Sequence, residues 1–277
     1  MKAGMPTQTA PPTLRPVLVH MHIFKNAGTS LDEIFRPVFG EAYQAFDLDA
    51  PSARIGVGQI NRFLTDHPGC RYLTSHQIGF PLPVYPARPL FPIFMLRDPY
   101  ERIPSCFFFE RDVQRKLSPD ATLEGYLLGH LESGRVSATI GLQLLTLTDY
   151  RFLADWRLSD IDEEAVDRAM RHVSGAAVFG LVERFTDSIT LFARALARHF
   201  PGVEAILERR DMRANVGAAP AEARAEARRF VRDALTAETF ARLEAALRPE
   251  MALLDHARAV FDARWSRWMD AGREIAP

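Results

Sequence analysis

Residues 17–39, VLVHMHIFKNAGTSLDEIFRPVF, constrain the fold more tightly than any other stretch of the chain. Val17, Leu18 and Val19, followed by Met21 and Ile23, form a short apolar run suited to a strand covered on both faces. The small and turn-forming residues of Lys25-Asn26-Ala27-Gly28-Thr29 then form a tight loop. Ser30 with Glu33 three positions on has the spacing of a capping box, and Leu31, Ile34, Phe35 and Val38 recur at helical intervals. Pro37 is expected to end or kink that helix. A strand that passes through such a loop into a helix aims free backbone N–H groups, and the positive end of the helix dipole, at one point. That point is an anion site. It is not a triphosphate loop of the G-x-x-x-x-G-K-S/T kind, because the lysine precedes the small residues and no Gly-Lys-Ser/Thr triplet occurs.

A net charge of −1 provides no global field to attract nucleic acid or an anionic membrane, so anion binding must come from a local cluster. Three of the 34 basic residues are lysines (Lys2, Lys25 and Lys116), and one of them stands in the central loop. A compact ammonium there differs in kind from the planar fork that the chain uses elsewhere. Cys70 and Cys106 are too few for a disulfide framework or a metal site. The sequence contains no apolar run of the roughly 20 residues that a membrane span needs. Residues 1–16, rich in Pro and Thr, read as a flexible leader, and residues 17–277 as a single cytoplasmic domain.

Further along, residues 42–58 read as irregular, 59–65 as a short helix and 71–74 as a strand. Ser75-His76 follows at its carboxyl end, where open α/β sheets place their ligand crevice, and this makes His76 a candidate base. Prolines 81, 83, 86, 89 and 92 predict an extended loop bordering a substrate opening. The run LFPIFML (90–96) is a second strong strand, expected to begin only at Ile93 because of Pro92. Asp98 then reads as a helix N-cap, with Pro99 at the first helical position. Arg97 thus stands between a strand end and a helix start, and Ser105, eight residues later, lies on the same helical face. A guanidinium fork with a hydroxyl suits a phosphate monoester, although Arg97 paired to Asp98 or Glu101 is the simpler alternative. Cys106 and Phe107 to Phe109 read as core packing. Helices are expected over 123–131, through Val173 from a cap at Asp160 or Asp162, and over 186–200, with a third buried strand at 176–182. A glycine-containing loop at 213–217 precedes a helical C-terminal region with starts near Pro220, Thr236 and Pro249.

On these residues the chain resembles the sulfotransferase superfamily, in the branch of Golgi carbohydrate sulfotransferases of the heparan 2-O-sulfating type and their bacterial relatives. His22-Ile23-Phe24-Lys25-Asn26-Ala27-Gly28-Thr29-Ser30 resembles that family's H-I-P-K-T-G-G-T-S loop, which holds the 5′-phosphosulfate of 3′-phosphoadenosine 5′-phosphosulfate (PAPS). Leu96-Arg97-Asp98-Pro99-Tyr100-Glu101-Arg102 with Ser105 resembles the L-R-D-P-x-x-R-x-x-S element that binds the 3′-phosphate. Thr74-Ser75-His76 is similar to a G-H segment whose histidine is the base in some members. Residues 180–185 and 247–261 resemble a G-L-x-E-R-F stretch and the C-terminal helix. Departures are Phe24 in place of proline, Asn26 and Ala27 within the loop, and Ser75 in place of glycine.

The resemblance implies an α/β fold: a doubly wound parallel sheet with a P-loop-like strand-loop-helix phosphosulfate site and a helical C-terminal region. It implies a PAPS-dependent sulfotransferase acting on an acceptor hydroxyl of a carbohydrate or glycoconjugate, glycolipid included, and leaving 3′-phosphoadenosine 5′-phosphate. Lys25 and His76 would be catalytic. Lys25, Asn26, Ala27, Gly28, Thr29, Ser30, Arg97 and Ser105 would bind the donor, and no metal would be needed. Two rivals stay open: a nucleotide kinase on a related fold, and a non-catalytic nucleotide-binding protein.

Overall fold

The expected strand-loop-helix unit lies at the centre of a parallel sheet in a computed structural model, which describes residues 15–50, 53–85, 88–148, 156–209 and 221–273. Strand β1 (Val17–Met21) is buried throughout. It pairs on one side with β3 (Tyr72–Ser75), outside which lies β2 (Tyr43–Ala45), and on the other with β4 (Leu90–Ile93). A second parallel pair, β5 (Met95–Leu96) and β6 (Gly180–Leu181), continues from β4 through Phe94, whose carbonyl accepts from the Gly180 amide. The chain thus leaves β1 for one side of the sheet and later crosses to the other. This reversal opens a crevice at the carboxyl ends of the strands.

Helix α1 (Gly28–Phe39) follows β1 and packs Leu31, Ile34 and Phe35 into the core. It differs from expectation at both ends. Its N-cap is Ala27 in the left-handed region with no side-chain cap, so Ser30 lies inside the helix and the Ser30–Glu33 box does not form. Pro37 is accommodated inside α1, which ends at Gly40. The segment expected to be irregular contains the edge strand β2, and α2 (Val57–Asp66) follows it. Strand β4 includes Pro92, in register with Val19. Because β4 has a ladder on one side only among the described residues, the missing N–H can face the other edge.

Asp98 caps α3 (Pro99–Phe108) as expected, its carboxylate accepting from the Tyr100 amide. A π-helical turn, Phe109–Val113, extends this helix. Thr122 caps α4 (Leu123–Ser133), and the apolar stretch beyond it yields the short α5 (Leu142–Thr146). Asp162 caps α6 (Glu163–Gly175), and α7 (Phe185–Leu196) follows β6, which is only two residues long where a longer strand was expected. Helices α8 (Ala221–Asp233) and α9 (Ala237–Arg273) form the C-terminal region, with Pro249 inside α9 and not at a helix start. Residues 1–14 of the expected leader and the loop at 213–217 lie outside the described residues.

The main core surrounds β1 and α1, and a smaller apolar cluster joins α3, α4 and α9 through Ile103, Leu127, Leu243 and Leu247. Each such fully buried side chain contributes about 1.5–3 kcal/mol. Arg102 of α3 and Glu250 of α9 form a completely buried ion pair. Arg102 also donates to the Ala138 and Thr139 carbonyls, while its Nε is buried without a hydrogen-bond partner. No helix among the described residues is long and apolar enough to cross a membrane.

Candidate functional site

The turn between β1 and α1 bends sharply: Lys25 and Ala27 both have φ near 60° (60° and 59°), a conformation costing non-glycine residues about 1–2 kcal/mol each. Asn26, buried between them, holds the turn. Its side-chain NH₂ donates to the Met95 carbonyl at 2.8 Å and to Gln143 Oε1 at 2.7 Å. The first helical bond runs from the Leu31 amide to the Ala27 carbonyl, so the amides of Gly28, Thr29 and Ser30 precede the ladder and are available to a ligand. Gly28 is required for a steric reason, since a Cβ there would lie 2.1 Å from the His22 ring.

A cleft of about 570 Å³ opens over this turn. Lys25, Ala27, Gly28, Thr29 and Ser30 line one side and Arg97 and Ser105 the other, with His76 at the rim. Arg97 and Ser105 therefore share a face, as their eight-residue spacing predicts. Arg97 Nη1 donates to the Lys25 carbonyl at 3.1 Å, while its Nε is buried without a hydrogen-bond partner and lies 3.7 Å from Glu101. Burial lowers the Arg97 and Lys25 pKa values from their ordinary ranges. Glu101 opposes the effect at Arg97, whereas Arg97 adds to it at Lys25. Both cations thus sit where an anionic ligand would relieve them. Asn26 is the exception among the expected donor-binding residues, because its side chain anchors the turn and does not line the cleft.

Lys25 Nζ rests 4.1 Å above the Phe109 ring, which Phe24 meets edge-on at 5.6 Å. Phe109, expected in the core, is a wall of the cleft instead. The π-helical turn that begins at Phe109 changes the helical phase after Phe108. Phe24, the departure from proline, packs against that wall.

The frame behind the cleft rests on a residue that sequence reasoning passed over. Gln143 accepts from the Asn26 side chain and the Arg97 amide, donates to the Arg97 carbonyl, and donates its own backbone amide to Glu250. It ties both cleft-lining segments to the Arg102–Glu250 pair. The available signal was one amide within the apolar run IGLQLL. Arg258 of α9 similarly bridges Asp98, the α3 cap, to Glu183.

Two aspartates organise the histidines. Asp32 accepts from His20 Nδ1 (2.8 Å), His22 Nδ1 (3.2 Å), Tyr72 Oη (3.1 Å) and Thr74 Oγ1 (3.2 Å). Burial raises its pKa, but the His20 and His22 hydrogen bonds outweigh that and hold the carboxylate ionised. Burial is also the largest influence on His22 and depresses it to about 4, so its ring is neutral at pH 7. Ligand atoms of His20, His22 and Asp32 lie within 4.8 Å of one another, a spacing compatible with a metal ion, yet four donors already occupy the carboxylate. Asp47, by contrast, serves His76: Oδ2 takes His76 Nδ1 at 3.0 Å, and Oδ1 takes the His76 amide and Ser75 Oγ at 2.9 and 2.7 Å. A carboxylate can only accept, so Nδ1 carries a proton and Nε2 is left as the other ring nitrogen. Ser75, the departure from glycine, is one of the groups that fix Asp47. The His76 ring stacks on His22 at 3.9 Å.

Among its described residues, the proline-rich segment does not border this cleft. Pro81, Pro83, Pro89 and Pro92 line a separate apolar pocket with His172 and Phe80. That pocket shares no residue with the cleft.

No family model matches the chain. The chain is similar to an uncharacterized protein of Archaeoglobus fulgidus, 23% identical over 202 residues that cover 69% of this chain and 77% of the archaeal one.

Proposed function

We propose that the protein is a sulfotransferase that uses PAPS as donor and an acceptor hydroxyl as nucleophile. The observation that carries this reading is the meeting, in one cleft, of the turn at Lys25–Ser30 with Arg97 and Ser105. These are two basic and hydroxyl-bearing segments lining one cleft, as expected for a nucleotide with phosphate groups at both its 5′ and 3′ ends. The residues present fit such a group: Arg97 has a buried Nε without a hydrogen-bond partner, and helix amides precede the α1 ladder.

The donor supplies an activated sulfuryl group. Lys25, with the amides of Gly28 to Ser30, offsets negative charge at the 5′ end, where charge accumulates as the sulfuryl group departs. Arg97 and Ser105 hold the 3′ end and so fix the alignment on which transfer depends. His76, with Nδ1 committed to Asp47, takes the acceptor proton on Nε2. Glu33 lines the same cleft and has no hydrogen-bond or ion-pair partner among the described residues, so it is the alternative base. Glu101 sits beside Arg97, and Glu110 accepts from Tyr126.

Incubation with sulfur-labelled PAPS and a mixed panel of hydroxyl compounds tests the reading. Label transfer that His76→Ala abolishes, with nucleotide affinity retained, supports it. Magnesium-dependent turnover of ATP without sulfuryl transfer contradicts it.

A further inference from the structure

A second cavity, about 390 Å³, adjoins the first and shares His22, Thr29, Glu33 and His76 with it. On its far side it is closed by Arg36, Tyr43 and Ala45, together with the Asp47 that holds His76. One histidine thus faces two chambers. The anion-binding groups Lys25, Arg97 and Ser105 all belong to the first chamber and none to the second.

The second chamber has a different charge. Its lining includes the carboxylates Asp32, Glu33 and Asp47 against a single guanidinium, Arg36. That guanidinium is already engaged, donating to Tyr43 Oη at 3.3 Å and lying 4.3 Å over the Tyr43 ring. Asp32 and Asp47 are committed to histidines, whereas Glu33 is exposed and unpaired among the described residues. An anionic ligand would face net negative charge with no free cation to meet it. A ring bearing hydroxyls, neutral or aminated, finds a free acceptor in Glu33, while the Tyr43 ring, stacked on Tyr72 and covered by Arg36, forms a packed wall. The volume lies at the lower end of small-molecule sites, about 300–1,000 Å³, and suits one sugar-sized ring.

We infer that this second cavity is the acceptor site, and that it takes an uncharged or amine-bearing polyol or sugar ring in preference to a carboxylated or sulfated one. The inference rests on the sulfotransferase reading. In the reaction it serves, the acceptor O–H bond breaks and its proton goes to His76 Nε2. The acceptor oxygen bonds to sulfur, and the bond from sulfur to the 5′-phosphate oxygen breaks with its electron pair leaving on the bisphosphate.

The test is saturation-transfer NMR on the full chain with 3′-phosphoadenosine 5′-phosphate present, using glucose, glucosamine and glucuronate as probes of one ring at three charges. Glucose and glucosamine are expected to give signal, with glucuronate at least about tenfold weaker and partly restored in Glu33→Gln. Ala45→Trp fills the second chamber from an exposed edge-strand position and should abolish the ring signal while nucleotide affinity stays unchanged. Glucuronate binding as well as glucose, no signal from any ring, or ring binding that survives Ala45→Trp would overturn the inference. In each of those outcomes, preserved bisphosphate binding leaves the sulfotransferase reading standing. Absence of bisphosphate binding refutes that reading itself.

Discussion

Asp32 and Asp47 lie on either side of the same stacked histidines and do opposite things with them. Asp32 is buried, with four donors from four different side chains, and it consumes the Nδ1 atoms of His20 and His22 in a network closed on itself. Asp47 is exposed and takes one ring nitrogen of one histidine, along with its backbone amide and Ser75 Oγ, so the other ring nitrogen remains at the cleft. The chemistry of the pairs is alike, and the number of donors and the access to solvent separate a structural clamp from an orienting residue. A carboxylate that is saturated and dry costs several kcal/mol to disturb, whereas one at the rim costs little stability and a good deal of rate.

The largest effect should come from breaking the closed network. Asp32→Ala leaves four buried donors without their acceptor and is expected to lower unfolding free energy by about 4 kcal/mol in urea titration. Full stability in that variant would mean that the network is ornamental. Lys25→Ala comes next. Turnover should fall about 10²- to 10³-fold while the thermal midpoint barely moves and some nucleotide binding persists; normal turnover would remove Lys25 from the mechanism.

Acid sharpens the contrast from another side. His22 titrates at about 4 in the folded chain and near 6.5 unfolded, so between those values the unfolded state binds more protons and stability falls as pH drops. The loss amounts to about 3 kcal/mol across the window. The difference in stability between wild type and His22→Gln, followed from pH 7 to pH 4, should show this slope, and a flat difference would contradict the burial assignment. The smallest effect belongs to the rim. Asp47→Asn should cut kcat about 10- to 100-fold with little change in donor KM and almost none in stability, and ¹⁵N NMR should show the His76 tautomer preference weakened. Unchanged kcat would make Asp47 a bystander.

How much of this could be read from the residues follows the same division. The β1 run, the loop, the Asp98-Pro99 helix start and the shared face of Arg97 and Ser105 are local patterns, and local patterns are legible in sequence. Long-range polar pairings are not. Gln143 reaches Asn26 across 117 positions and Glu250 across 107, and nothing in hydrophobic periodicity marks such a partner. Asp47 was hidden for the same reason, in a segment without a periodic signal. The failed capping box at Ser30 has a physical cause. The left-handed Ala27 starts the helix earlier, so Ser30 already lies in the first turn facing the cleft. Phe109 escaped because a π-helical turn breaks the spacing on which its placement relied.

The most direct test of the central claim, that the Lys25–Ser30 turn together with Arg97 and Ser105 holds a bisphosphate nucleotide, is calorimetric titration with 3′-phosphoadenosine 5′-phosphate beside ATP with magnesium. Wild type and Arg97→Lys would be compared, since lysine keeps the charge but loses the fork. The account predicts tight bisphosphate binding, weakened about tenfold or more in Arg97→Lys, and little heat from ATP. Bisphosphate binding that is absent, or no stronger than ATP binding and indifferent to Arg97, would contradict it.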